Sequence, residues 1–424
     1  MQFLVYGIIT ATIWFAYLGD AGYAPSSLSY TQELLAMAAA AVVVVAGVQQ
    51  RFVNVLPAYW LVFGGLLVTV VCGLLTNGVE AGPIFAGLRT YLRAIPFFFL
   101  PAVINFSPRQ VKSQLLLVLV FALPQLPIAL DQRLTTFARG FYSGDRTVGT
   151  LGDSGALTVF LVSVACMLFA FLSRGLISKK WAFVLLPIVL APTMFNETKA
   201  TLIVLPAALF AVSVLGATAN RTKRVFVTLI STAVFLAAFV PTYDYFMKPR
   251  YGYGLIEFLT MEGRVERYLE RDAQVGSYDV VPGKVDAITV PLQVLSRDPA
   301  LLAFGLGIGN VSQSALGARF SGEHYERYGH FVQSTASRLL WELGLLGTLL
   351  LFALMAMLSV DAFRVSRGEG FMPTVALGTM GIVTVVTLSM LSSPLMDSGA
   401  VSYLFWYTSG LVAAERARSL VLVT

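Results

Sequence analysis

Apolar residues fall in long runs separated by short polar interruptions. The runs occupy residues 3–19, 33–48, 55–76, 93–106, 114–130, 153–173, 181–195, 199–216, 225–246, 337–360, 372–391 and 399–414. Most are roughly 15 to 23 residues long, the length an α-helix needs to cross a bilayer. The pattern predicts an all-α polytopic membrane protein with about 12 transmembrane helices. The proline-bearing run "AIPFFFLPAVINF" and the short pair flanking "NETKA" suit tilted, broken or re-entrant passes. A single long interruption divides the chain into residues 1–246 with nine helices, a mostly helical loop at 247–336, and residues 337–424 with three helices. The loop has no counterpart in the first half and no internal repeat is visible, which argues against the duplicated architecture of many secondary transporters.

Composition agrees with this picture: 57% of residues are hydrophobic and 12% charged, with mean hydropathy +0.76. A net charge of +6 raises the question of nucleic acid. The cations lie in inter-span loops, however, without a basic helix interleaved with aromatics, so no nucleic-acid partner is expected. Cys72 and Cys166 fall inside apolar runs and read as packing residues. The start, "MQFLVYGIITATIWFAYLG", lacks a basic leader and a small-residue cleavage site and reads as a first span.

Every second short loop carries Lys or Arg, as in "SPRQVK", "SRGLISKK", "FRVSRG" and "ERAR". The positive-inside rule then places both termini in the cytoplasm. The opposite face, periplasmic in a bacterial inner membrane, receives the 20–32, 77–92, 131–152 and 392–398 loops, the "NETK" turn and the long 247–336 loop. Many of its cations read as ordinary solvation of that loop. Arg89, Arg93, Lys199, Arg338 and some cations of the 264–284 group instead stand at span mouths, where a cation serves an anionic ligand or a fixed counter-charge.

Candidate chemistry is concentrated on that face. Both histidines, His324 and His330, lie in "GEHYERYGHFVQSTASRLLWELGLLG". A helix beginning near His330 would align it with Ser334, Ser337 and Arg338, with Glu342 four residues beyond Arg338 and able to pair with it. The plain alternative is a histidine packing at the interface. In "GDRTVGTLGDSGAL" Asp153 or Ser154 reads as a helix N-cap. Glu197 and Lys199 read as a local ion pair. The alternating charges of "EGRVERYLERDAQ" suit a solvated helix, with Arg267 and Arg271 beside Glu270. In "GLGIGN" the glycines read as tight backbone turns, since the strand and lysine of a nucleotide loop are missing.

Taken in order, "GLRTYLRAI", "RTVGTLGDSGAL", "NETKAT" and "RDPALLAFGLGIGN" followed by "GHFVQSTASRLLWELGLLG" resemble the O-antigen ligase and O-antigen or exopolysaccharide polymerase superfamily, over residues 87–347. The resemblance implies transfer of a glycan from undecaprenyl diphosphate to a sugar hydroxyl, without metal or cofactor. It implies His330 as proton acceptor. Arg89, Arg93, Lys199, Arg264, Lys284 and Arg338 become candidates for the diphosphate. Implied partners are the lipid-linked donor, a glycan or lipid A core acceptor, the bilayer, and a chain-length regulator or export complex. The chain departs from the family at Lys199, where arginine is usual, and at Phe331, where asparagine is common. The second family arginine maps onto either Arg264 or Lys284. These departures favour a polymerase over a ligase. A lipid-linked glycan transporter or a non-catalytic export subunit remains the reading from other classes.

Overall fold

The computed structural model describes all residues except 1, 50–54, 141–143, 197, 216–220, 273–280, 315 and 422–424. Among the described residues eight helices are long and apolar enough to cross a membrane, and a ninth pass arises if one bent pair is counted as a single span. The chain is thus a multi-pass, all-α membrane protein. The eight are α1 (Gln2–Asp20), α2 (Ser26–Val48), α3 (Pro57–Asn77), α6 (Pro108–Ala138), α7 (Ser154–Ser173), α11 (Thr222–Pro249, continuing to Tyr251), α16 (Thr335–Ser366) and α17 (Phe371–Ser389). The bent pair is α4 (Ala81–Leu92) and α5 (Pro96–Ile104), which meet at 45°.

Three segments expected as spans take other forms. Residues 181–195 split into α8 (Lys179–Leu190) and α9 (Pro192–Phe195), because Pro192 cannot extend the preceding ladder. The next is the shorter apolar helix α10 (Thr201–Val214). The last, α18 (Gly399–Val421), has the length of a span but carries more polar residues.

Helix starts follow local chemistry. Pro57, Pro96 and Pro108 sit in first turns, where a missing N–H costs nothing. Ser107 adds a reciprocal cap with Gln110. Asp153, not Ser154, caps α7 by accepting from the Ala156 N–H at 2.7 Å. That helix carries no charge and is buried on nearly every face, forming the axis of the bundle. Around it pack α17, α8 and α10, with α18 alongside and α16 behind α17, and α5 is locked onto α18 where Gly410 meets the Phe98 carbonyl. Helices α1, α2, α3 and α11 stay mostly exposed at the periphery.

Contacts between helix ends sort them into two groups. At one end Gln2 Nε2 donates to Ser113 Oγ (3.0 Å), Arg174 to the Gly368 carbonyl (3.4 Å), and Arg418 to the Pro101 carbonyl (3.5 Å). Tyr59 Oη donates to the buried Asp361 at 2.7 Å, with Arg416 Nε 3.7 Å from the same carboxylate. At the other end Asn77 meets the Gly305 carbonyl (3.0 Å), Asn196 the Ser154 carbonyl (2.9 Å), and the Thr335 N–H the Ser393 carbonyl (3.0 Å).

The 252–334 segment packs on this second end. It contains α12 (Leu255–Thr260), α13 (Arg264–Glu270), α14 (Asp286–Leu295) and α15 (Pro299–Phe304), with a two-residue antiparallel pairing of Arg271–Asp272 with Val281–Pro282. The solvated helix expected at 262–274 is therefore shorter, and the side chains of Arg267 and Arg271 lie outside the described residues. The stretch 283–310 is two helices, because Asp298 folds back to cap the second one through the Ala300 N–H at 2.7 Å. Beyond it the backbone runs against α16: the Leu306 N–H donates to the Trp341 carbonyl at 2.7 Å. Gly305 and Gly344 both have positive φ there, and a Cβ on Gly305 would stand 2.6 Å from the Gly344 nitrogen. Only glycines allow that approach, and Gly344 kinks α16 at the contact.

Candidate functional site

A cavity of about 230 Å³ opens at the second end. One wall is α4, through Ala86, Gly87, Arg89, Thr90 and Arg93. The others are Gly309 and Ser312–Ser314, then Arg338 and Glu342 on α16, and Asp397 in the loop before α18. Three of the six cations singled out from the sequence thus face one space.

Each of these arginines is held by an acceptor. Arg338 forms a two-pronged pair with Asp397, at 2.7 and 2.8 Å. The arginine side chain is largely buried whereas the aspartate is half exposed, at 12% and 51%, so only the acid can leave toward water. Arg93 donates to the Asp397 carbonyl at 2.6 Å. Arg89 pairs with Glu33 on α2. Glu342, 1% exposed, accepts from Tyr91 Oη at 2.9 Å and from Ser312 Oγ at 2.5 Å. These two hydroxyl donors offset part of the cost of burying that side chain.

The partner of Arg338 is therefore Asp397, not the Glu342 expected from helical spacing. The reason is steric: the glycine segment and Tyr91 already surround Glu342. His330 also departs from its expected place. The helix begins at Thr335, because Ser334 is extended and its hydroxyl caps the Ser337 N–H at 3.1 Å. His330 instead lies exposed in a separate turn, Gly329–Phe331, its ring 4.2 Å from that of Phe331. It is not among the residues lining the cavity.

The loop 390–398 joins the remaining features. Lys284 Nζ donates to the Ser392 carbonyl at 3.3 Å, and Thr335 bonds Ser393 and Leu395. A Cβ on Gly155 would stand 2.9 Å from Ser393 Oγ, which brings the "GDSGAL" stretch to the same loop. Upstream, Gln132 and Gln125 bind the backbone of residues 148–150, so the glycine–threonine loop is shaped by two glutamines of α6. Asn196 carries the "NETKA" turn onto α7 through Ser154 and Thr158.

Lys199 and Arg264 belong to a different cluster. The Lys199 ammonium lies 4.9–5.7 Å from the rings of Tyr268, Phe258 and Tyr251. Arg264 stacks on Tyr253 at 3.7 Å. Both cations stand over aromatic faces, an arrangement that stabilises a partly desolvated charge. The pairing of Lys199 with Glu197 concerns a residue outside those described.

Sequence reasoning did not single out Asp397, Tyr91, Ser312 or Glu33. Asp397 carried a usable signal, as an acid in a short loop on the face richest in unassigned cations. Neither a protein-family model nor a curated protein matches the chain.

Proposed function

We propose that this chain is a membrane glycosyltransferase of the O-antigen ligase and polymerase type, working at the periplasmic face of a bacterial inner membrane. It would transfer a glycan from undecaprenyl diphosphate to a sugar hydroxyl, as a polymerase extending a lipid-linked chain. The observation that carries this reading is the convergence of Arg89, Arg93 and Arg338 on one cavity at a helix-bundle end. In this reading the chain passes the membrane twelve times, with α8–α9, α10 and α18 as short or broken passes and both termini cytoplasmic. Arg109, Lys112, Arg174, Lys179, Lys180, Arg364 and Arg367 would then all lie on the cytoplasmic side, as the positive-inside rule requires.

A diphosphate leaving group gains negative charge as its bond to the anomeric carbon breaks. Guanidinium groups already fixed around that position favour the transition state without reorganising. Asp397 leaves Arg338 as the donor arrives, exchanging a carboxylate for a phosphate on the same planar fork. The acceptor hydroxyl attacks the anomeric carbon, and His330, which lies on the turn leading into α16 outside the cavity lining, would take its proton once the bound acceptor bridges that turn and the cavity. Lys284 would hold the 390–398 loop from the other side. Lys199 and Arg264 would support the outer segment through their aromatic contacts.

The test is turnover of purified protein with an undecaprenyl-diphosphate oligosaccharide in EDTA. Longer lipid-linked glycan is expected from the wild type. Arg338→Ala should fall by roughly a hundredfold or more, and His330→Ala by about a hundredfold. Product formed only when lipid A core is supplied would make the chain a ligase. No product with either acceptor would overturn the reading.

A further inference from the structure

Helix α4 has two unlike faces. Ala86, Arg89, Thr90 and Arg93 look into the cavity, while Leu92 (48% exposed) looks away from it and Phe85 (57%) does so beside Phe320 of the outer segment, ring centroids 6.3 Å apart. A polar face toward the cavity and an apolar face outward make α4 the partition between that cavity and the lipid.

The partition is lightly held. Helix α2 packs along α5 rather than along α4, and Arg89 reaches across to Glu33 on α2. Elsewhere α4 leans on loops: Gly87 against Ile308 and Gly309, Gly82 against the Arg319 carbonyl, and Arg93 on the Asp397 carbonyl. Toward the long helices it bonds through Arg89 to Glu33 and Tyr91 to Glu342, and Leu88 and Tyr91 lie against the main core. At its base lies the 45° break before Pro96, where proline interrupts the ladder. The α5 half is different, since Phe97, Phe98 and Leu100 are fully buried. A rigid lower half, a proline joint and a polar-latched upper half form a hinge.

The geometry points to α4 as a lateral gate that swings about residues 93–96, with Glu33–Arg89 as its latch, so that the cavity is loaded from the bilayer by an anion carrying a hydrocarbon tail. An anionic headgroup competes with Glu33 for Arg89, which couples its arrival to release of the latch. The substrate class rests on the function proposed above, but the gate motion does not.

The experiment reads the motion directly. Spin labels are placed at Phe85→Cys on α4 and Met37→Cys on α2, both exposed, in a Cys72→Ala, Cys166→Ala background, and their separation is measured in lipid nanodiscs. Undecaprenyl diphosphate should lengthen it by about 5 Å, whereas inorganic diphosphate should leave it in place. Glu33→Gln should populate the longer distance without ligand. One distance, unmoved by lipid and by Glu33→Gln, overturns the gate. A gate that opens in a protein without transferase activity retains the gate and removes the proposed reaction.

Discussion

Arg338 illustrates how position and chemistry divide at the scale of one residue. Its place at the start of an apolar run was legible, because a cation there must meet an anion. Its partner was not, because Asp397 is 59 residues away and helical spacing offered Glu342 instead. The two-pronged geometry gives a sharp expectation. Arg338→Lys keeps the charge but loses the fork, so initial rates should drop at least about tenfold. Parity with wild type in that assay would mean that only charge matters. Lys199 makes the opposite case. A caged ammonium depends on the rings around it, so Tyr268→Ala should lower thermal stability by about 1 kcal/mol or more beyond the lost apolar area. Tyr268→Phe should keep most of it, and equal losses in the two variants would reduce the cage to incidental packing.

Among elements, the long apolar helices were legible from length alone, since no residue within α7 opposes burial. Breaks were legible wherever proline caused them, at Pro96 and Pro192. What periodicity could not show is the join between the glycine segment and α16. That join depends on two residues without side chains meeting at a distance of nearly forty positions, and nothing in either local pattern specifies the other. Gly344→Ala is therefore expected to be costly. The substituent would stand 2.5 Å from the Ala303 carbonyl at a residue with positive φ. A loss on the order of 1–3 kcal/mol is expected from the backbone conformation alone. The measurement is the melting midpoint of the purified variant, and a midpoint within a degree of wild type would show that the kink relaxes freely.

For the molecule as a whole, the proposed side of each loop rests on charge, and the pairing of helix ends rests on the fold. Thiol labelling in intact cells joins the two. A cysteine at Arg319 should react with a membrane-impermeant maleimide, and one at Lys112 should react only after the inner membrane is permeabilised. The reverse pattern would invert the proposed topology. The gathering of the candidate site was partly readable, since the four motifs lie on one face by simple alternation. The separation of Lys199 and Arg264 from the arginine cavity was not readable, because it depends on where α11 ends and how α12 and α13 fold back.

The Tyr59–Asp361–Arg416 contact at the other end bears on how the protein is made. Its three members lie on α3, α16 and α18, so they leave the ribosome in that order. Asp361 is inserted with Tyr59 already available and Arg364 one turn further along, and Arg416 arrives with the final helix as a second counter-charge. Until then the carboxylate has the Tyr59 hydroxyl and the Arg364 guanidinium as partners. Insertion of α18 adds the Arg416 contact at the same step at which Gly410 meets the Phe98 carbonyl. The last helix therefore closes the polar contact between α3 and α16 and the apolar seam with α5 together, so a chain lacking α18 would leave both open.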